Sequence, residues 1–126
     1  MGPSESINRA LNTFFNGFGI PGYLEDNIPP AASLPYLTYK PTIPGGWNET
    51  ASFHARLWYP SKGGRAPSLQ TEDTISAALP RGGLTIKCEG GAILLQKGTP
   101  WAQPLDNPPE GYLCEYLNFE ITQFCE

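Results

Sequence analysis

The sequence contains a single histidine, His54, in 126 residues. A Ser-His-Asp triad needs a histidine beside an activated nucleophile, and no Ser or Cys lies in a recognisable nucleophile elbow. Zinc sites draw on several His and Cys ligands, and the chain has no second histidine. This scarcity argues against nucleophilic and metal-dependent catalysis, so we expect a structural or surface role for His54.

Positive charge and long apolar runs are also scarce. Eight Lys and Arg stand against 12 Asp and Glu, which gives a net charge of −4. A protein dedicated to nucleic acid needs a basic footprint, and this sequence lacks one. No apolar run approaches the roughly 18 residues of a membrane span, and the polar start after Met1 is unlike a secretion signal. We therefore expect a soluble protein with no membrane partner.

The reactive groups that are present show no catalytic pattern. Cys88, Cys114 and Cys125 are an odd number without metal-type spacing, so we expect reduced, partly buried thiols of a cytosolic protein. Glu115 and Glu120 have an odd separation and fall on opposite faces of one predicted strand. The paired glycines lack the context of a phosphate-binding loop and are typical of turns. We predict no enzyme, no cofactor and no metal.

The composition indicates one domain over residues 1–126, punctuated by 14 Gly and 14 Pro. An N-terminal helix is predicted with Ser4 as its cap and Gly17 after its end. A second helix is predicted from about Ser68, as its cap, to Leu79 before Pro80. The first helix carries an apolar stripe of Ile7, Leu11, Phe14, Phe15 and Phe18.

Alternating side chains predict the strands. The clearest is Thr50–Tyr59, preceded by short strands around Tyr23–Leu24 and at Tyr36–Tyr39. A hairpin of Leu84–Cys88 and Ala92–Gln96 and a last strand, Tyr112–Phe124, follow, with residues 99–109 as a loop between them. This order predicts an α+β fold, a mainly antiparallel sheet with both helices on one face.

The other face of the predicted sheet carries Ser52, His54, Arg56 and Trp58. It is amphipathic, so we expect it to meet another subunit. The aromatic residues of the loops, including Trp47 and Trp101, leave two interpretations open: anchors of a protein interface or a stacking platform for a ligand. No ring of polar partners accompanies them in sequence, and this favours the interface.

Several segments together resemble the tail terminator proteins of long-tailed phages and prophages, also called tail completion or head–tail joining proteins. The resemblance covers nearly the whole chain. It is most specific at LPYLTY (34–39), ASFHARLWY (51–59) and GGAILLQKGTPWAQ (90–103). None of these segments is a catalytic signature, and the resemblance depends on their order and spacing.

The resemblance implies a structural virion protein at the head–tail junction, assembled in the host cytoplasm. Tail terminator proteins form a six-fold ring that caps the tail tube. The partners that the resemblance implies are therefore further copies of the chain, the major tail tube protein and the head-connector and neck proteins. DNA would pass through the lumen only transiently, and an acidic wall suits that passage. Head-completion and stopper proteins share the size and acidity, and the sequence leaves that alternative open.

A ring needs two different patches on each subunit. The sequence offers the strand face with His54, Arg56 and Trp58, and two proline-rich loops, 41–48 and 99–109, which contain Trp47, Trp101 and Gln103. The basic loop with Lys62 and Arg65 is a candidate for the lumen or for an acidic partner, with an ordinary solvated loop as the alternative. The prolines around PYLTY, residues 35–39, are expected to end its pairing and to blunt a sheet edge.

Overall fold

The computed structural model describes residues 2–125. Two helices, α1 (Pro3–Phe15) and α2 (Ala66–Ala77), accompany six strands. The strands run in chain order: β1 Gly22–Leu24, β2 Tyr36–Lys40, β3 Glu49–Pro60, β4 Leu84–Cys88, β5 Gly91–Pro104 and β6 Tyr112–Phe124. They form one curled sheet in the order β1-β2-β3-β6-β5-β4, parallel at β1–β2 and antiparallel elsewhere. The predicted α+β fold is confirmed.

Both helices pack on the same face of the sheet, as predicted. Every second residue of β3 from Phe53 to Tyr59 is buried there, together with Leu117, Phe119 and Ile121 of β6. The ring of Phe15 in α1 stacks on Tyr39 of β2 at 4.7 Å and meets Phe119 edge-on at 5.3 Å. Helix α2 contributes Ile75 to the same core. One apolar core therefore holds both helices to the sheet.

The starts of the helices differ from the prediction. Gly2 is the N-cap of α1 and Pro3 its first residue, so Ser4 lies inside the helix. Arg65 is the N-cap of α2, and the hydroxyl of Ser68 donates to the carbonyl of Arg65 instead of capping. Both predicted caps are wrong for the same reason: a proline near each start is preorganised for the first turn, so the helix begins before the serine.

The segment predicted as loop 99–109 is a strand as far as Pro104. β5 pairs with β6 up to Lys97, breaks register between Lys97 and Ala102, and then pairs again from Ala102 to Pro104. The prolines and the glycine of GTPWAQP predicted a loop because they cannot continue a regular ladder. The sheet accommodates them as an irregularity within the strand.

The PYLTY strand lies inside the sheet. β2 pairs with β3 from Tyr36 to Lys40 on one side, as expected, and with β1 on the other. The expectation that its prolines blunt a sheet edge is wrong, because β1 covers that edge. Pro41 still ends the pairing, and the chain leaves the sheet into loop 41–48.

Candidate interaction surface

The sheet face opposite the helices is called the open face below. Side chains at paired positions of neighbouring strands share a face, and one such row crosses five strands. It consists of Tyr23, Thr38, Arg56, Tyr116 and Gln103, each in register with the next. The strand face predicted from the sequence thus continues across neighbouring strands as a polar and aromatic surface.

A charge cluster lies in the middle of the open face. Nε of Arg56 is 3.2 Å from Oε1 of Glu25, and Nε2 of His54 is 3.6 Å from the same oxygen. The Glu25 side chain is only 17% exposed. The guanidinium of Arg56 also lies 5.0 Å from the centre of the Tyr116 ring. The contacts with Glu25 are ion pairs without hydrogen bonds, because Nε of Arg56 and Oε1 of Glu25 are buried and have no hydrogen-bond partner within residues 2–125. The carboxylate and the ring restrict where the Arg56 side chain can lie.

His54 borders an open cavity of about 390 Å³. Its ring meets Tyr116 edge-on at 5.5 Å. Asn118, the cross-strand partner of His54, also lines the cavity, and its Nδ2 donates to the carbonyl of Pro100 at 2.9 Å, which ties β6 to the irregular part of β5. The cavity is lined largely by polar groups, including Ser52, Thr99, Gln103 and Glu120. His54 and Gln103, two predicted interface residues, are brought together here.

Trp58 lies on the open face near the end of β3. Its Nε1 donates to Oγ1 of Thr38 at 3.0 Å, and its ring meets Tyr112 edge-on at 5.9 Å. Thr38 is 1% exposed although it lies opposite the helices. Trp58 is therefore held in place and half-buried, and only part of its ring is exposed.

Trp47 is the most exposed large apolar side chain of the described residues, at 60%. Its ring lies 5.7 Å from that of Phe124. The loop that carries it is held to the end of β6 by two hydrogen bonds. The amide of Gly45 donates to Oε1 of Gln123 at 2.9 Å, and the amide of Asn48 donates to the backbone carbonyl of Gln123 at 2.7 Å. Loop 41–48 thus presents Trp47 from an anchored position.

Trp101 lies on the helix-covered side and not with Trp47. Its ring meets Phe119 edge-on at 5.2 Å and packs against the core, and Nζ of Lys97 is 5.8 Å from the ring centre. The three tryptophans contact three different rings, those of Phe124, Tyr112 and Phe119. This arrangement separates them and does not favour a common stacking platform for a ligand.

The two basic residues of the loop after β3, Lys62 and Arg65, have different surroundings. Nη2 of Arg65 lies 2.9 Å from Oε2 of Glu115, whose side chain is 5% exposed. Arg65 is therefore the partner of a buried carboxylate at the start of α2. Lys62 is exposed in the short helical turn Ser61–Gly63. Of the two residues, Lys62 is the one that projects without an ion pair within residues 2–125.

The structure also locates the acidic and metal-binding residue types. Glu115 lies on the helix-covered face and Glu120 on the open face, as the odd spacing predicted. Within residues 2–125, no group of three or more His, Cys, Asp and Glu side chains could hold a metal ion. No helix of that part of the chain has the length and apolarity to cross a membrane.

Burial protects the thiols. Removal from water raises the pKa of Cys114 from its ordinary 9.0 to about 12; nearby Arg56 opposes this rise, and nearby Glu115 adds to it. Burial also raises the pKa of Cys88, and neighbouring Cys125 adds to the effect. Cys125 is 0% exposed. Since the thiolate is the reactive form, the folded protein should be a poor thiol nucleophile.

We expect Cys114 in the folded protein to react with a disulfide reagent at pH 8 at least about a hundredfold more slowly than in the unfolded chain, because its thiolate is rare and its sulfur is buried. The same pKa shift lowers stability between about pH 9 and 12, where the unfolded chain releases a proton that the folded protein keeps. The absorbance of the thiolate that the reagent releases measures the reaction rates. The kinetic phase that disappears in Cys114→Ala is the reaction of Cys114. Equal rates for Cys114 in both states would contradict its burial.

Glu25 and Tyr116 belong to the surface but were not singled out from the sequence. Tyr116 alternates with the buried Leu117 on β6, so strand alternation contained the signal. Glu25 follows a strand of three residues, and only the parallel pairing of β1 with β2 brings it over Arg56. No local sequence pattern predicts such a contact.

Comparison with known proteins shows the fold and no family. No family model matches the chain, and no curated protein matches it. A solved structure with 16% sequence identity superposes with a TM-score of 0.62, over 98% of this chain and 94% of the other. The name of that protein describes no function. At this identity the likeness concerns the fold alone.

Proposed function

We propose that the chain is a structural virion protein of a phage or prophage, of the tail terminator type, and that its copies form a closed ring. The proposal starts from the resemblance of LPYLTY, ASFHARLWY and GGAILLQKGTPWAQ to that family. The two-helix, mainly antiparallel fold is the one that the resemblance implies. The observation that carries the proposal is that one subunit bears two different groups of restrained side chains, the Arg56 cluster on the open face and Trp47 on loop 41–48. We take them as two contact patches.

The first patch is the middle of the open face, where Glu25 and Tyr116 hold Arg56. The second is Trp47, exposed on an anchored loop beside Phe124. Loop 41–48 leads directly into β3, and Arg56 lies seven residues after the first residue of that strand. At roughly 3.3 Å per residue, the two patches are on the order of 23 Å apart.

Two unlike patches on one subunit suit a heterologous contact, in which one patch of a subunit meets the other patch of the next. Such contacts build a closed ring when the rotation between subunits closes, and an open filament when it does not. Aromatic and arginine side chains are the residue types that anchor protein interfaces. Because contacts within the subunit already restrict these side chains, less conformational entropy is lost when the subunits assemble.

In this function the ring caps the tail tube and meets the neck proteins, and DNA crosses the lumen without being held. The net charge of −4 favours a lumen wall that repels phosphate. Lys62 is the cation of the basic loop left for a lumenal or partner contact, since Arg65 is paired with Glu115. A head-completion or stopper protein would use the same kind of ring, and binding of the ring to isolated tail tubes distinguishes the terminator from these.

Sedimentation velocity tests the assembly. We expect a concentration-dependent species at about six times the 13.7 kDa mass of the chain. Arg56→Glu should shift the population toward the monomer, because it places a second carboxylate against Glu25 and removes the cation from the patch. Arg9→Glu, a charge reversal at an exposed position of α1 on the other side of the sheet, is the matched control and should leave the ring intact. Equal loss in both variants would contradict a specific role of the Arg56 patch.

A further inference from the structure

The two edges of the sheet are not equivalent. At the β1 edge, the side chain of Asn16 forms hydrogen bonds to the backbone of Gly22 where a neighbouring strand would otherwise bind. Its Oδ1 accepts from the amide of Gly22 at 2.9 Å, and its Nδ2 donates to the carbonyl of Gly22 at 3.1 Å. Both outward backbone groups of Gly22 are thereby satisfied, and β1 is only three residues long. This edge is closed to a further strand.

The opposite edge, β4, is open over part of its length. Directly after its last residue, α1 covers the chain, and the amide of Glu89 donates to Oγ of Ser6 at 2.7 Å. A two-residue turn, Glu89–Gly90, joins β4 to β5, so Cys88 and Gly91 form the first hydrogen-bonded pair of the hairpin. Hydrogen-bonded and outward-facing residues alternate from there, which turns the amides and carbonyls of Thr85 and Lys87 away from β5. In residues 2–125, no hydrogen bond from outside the sheet reaches these groups. They are available to another strand.

An apolar groove runs beside this edge. It lies between α1 and β4, has a volume of about 280 Å³, and is lined by Ala10, Thr13, Phe14, Leu84, Ile86 and Lys87. Leu84 and Ile86 face the helix side of the sheet and are only half-buried. Because side chains of paired strands share faces, a strand added to β4 would place every second side chain over this groove.

The margins of the β4 edge are basic although the chain as a whole is acidic. Lys87 lines the groove, and Arg81 lines a second cavity, of about 270 Å³, at the start of β4. Neither forms an ion pair within the described part of the chain. Lys97 borders the same cavity as Arg81. Arg9 and Glu89 line a further cavity with Lys87. In these three cavities around β4, four basic residues stand against one acidic residue, in a chain with net charge −4.

We propose that the β4 edge binds an extended acidic segment of a partner protein by strand addition. The outward backbone groups of Thr85 and Lys87 supply hydrogen bonds, the groove takes apolar side chains at alternate positions, and Lys87 and Arg81 attract the carboxylates between them. The same cations disfavour a second β4 edge as the occupant, because two such edges would place like charges opposite each other. This inference needs a single folded subunit and no ring.

The probe is a synthetic peptide of alternating glutamate and valine, seven residues long, blocked at both ends and labelled for fluorescence anisotropy. Amide chemical shifts of the isotope-labelled protein map the contact. We expect saturable binding at sub-millimolar peptide, weakened by salt, with the largest shifts in β4 and in the groove side of α1. The matched peptide of alternating lysine and valine should bind at least about tenfold more weakly.

Thr85→Pro tests the backbone contact, because proline removes an outward amide that β5 does not use. We expect at least about a tenfold loss of affinity, whereas Thr85→Val should retain binding. Lys87→Glu should cause a similar loss and reverse the preference between the two peptides. Binding that survives both Thr85→Pro and Lys87→Glu, or no binding of the acidic peptide at millimolar concentration, would overturn the proposal. Ring formation is scored separately, so failure here leaves the proposed assembly standing.

Discussion

Replacing Phe119 with alanine is expected to lower the free energy of unfolding by about 3–5 kcal/mol. Phe119 is 0% exposed and is the hub of the aromatic core. It stacks on Phe53 at 5.2 Å, and it makes T-shaped contacts with the rings of Phe15 and Trp101 at 5.3 and 5.2 Å. Removing the ring opens a cavity between α1, β3 and β5 that these neighbours cannot all fill.

Urea unfolding followed by tryptophan fluorescence measures this loss. A domain of this size is stable by only about 5–15 kcal/mol, so Phe119→Ala removes a large share and should lower the midpoint strongly. Phe119→Leu is the control, since it keeps most of the apolar volume and should cost about half as much or less. A loss below about 1 kcal/mol for alanine would contradict the packing described around this ring.

Trp47→Glu is expected to abolish assembly while leaving the fold intact. The side chain is 60% exposed and contacts one ring, so its replacement should change the free energy of unfolding by about 1 kcal/mol or less. In the proposed interface, the same change removes an apolar anchor and buries an unpaired charge. We expect the high-mass species to disappear.

Trp101→Ala is the matched comparison. Trp101 packs on Phe119 and the core, so its loss should destabilise the folded chain by about 2–4 kcal/mol. Sedimentation velocity and urea unfolding, applied to both variants, separate the two effects. A Trp47→Glu variant that assembles like the unmodified chain would remove this residue from the interface. A stable Trp101→Ala variant that fails to assemble would return Trp101 to it.

Strand alternation made most of the fold predictable. The alternating residues of β3 and β6 define a buried face and an open face directly, because the side-chain period of a strand is two. The stripe of α1 similarly identified Ile7, Leu11 and Phe15 as buried. Local propensity was less informative at the helix starts, where Pro3 and Pro67 outweigh the serines as start signals.

The contacts that sequence alone did not predict are those between elements distant along the chain. The second half of β5 is a strand because β6 pairs with it, although its own residues favour a loop. Trp101 lies in the irregular part between the two paired halves of β5, and from there its ring packs against the core. Glu25 joins Arg56 and His54 only through the sheet order β1-β2-β3. In each case tertiary structure decides what local composition leaves open.

Electron microscopy of the purified chain over a range of concentrations tests the central proposal most directly. The account predicts closed six-fold rings with a central hole, more frequent as the concentration rises, and their loss in Trp47→Glu. Particles of single-chain size alone, up to the highest soluble concentration, would contradict a ring built from the Arg56 and Trp47 patches.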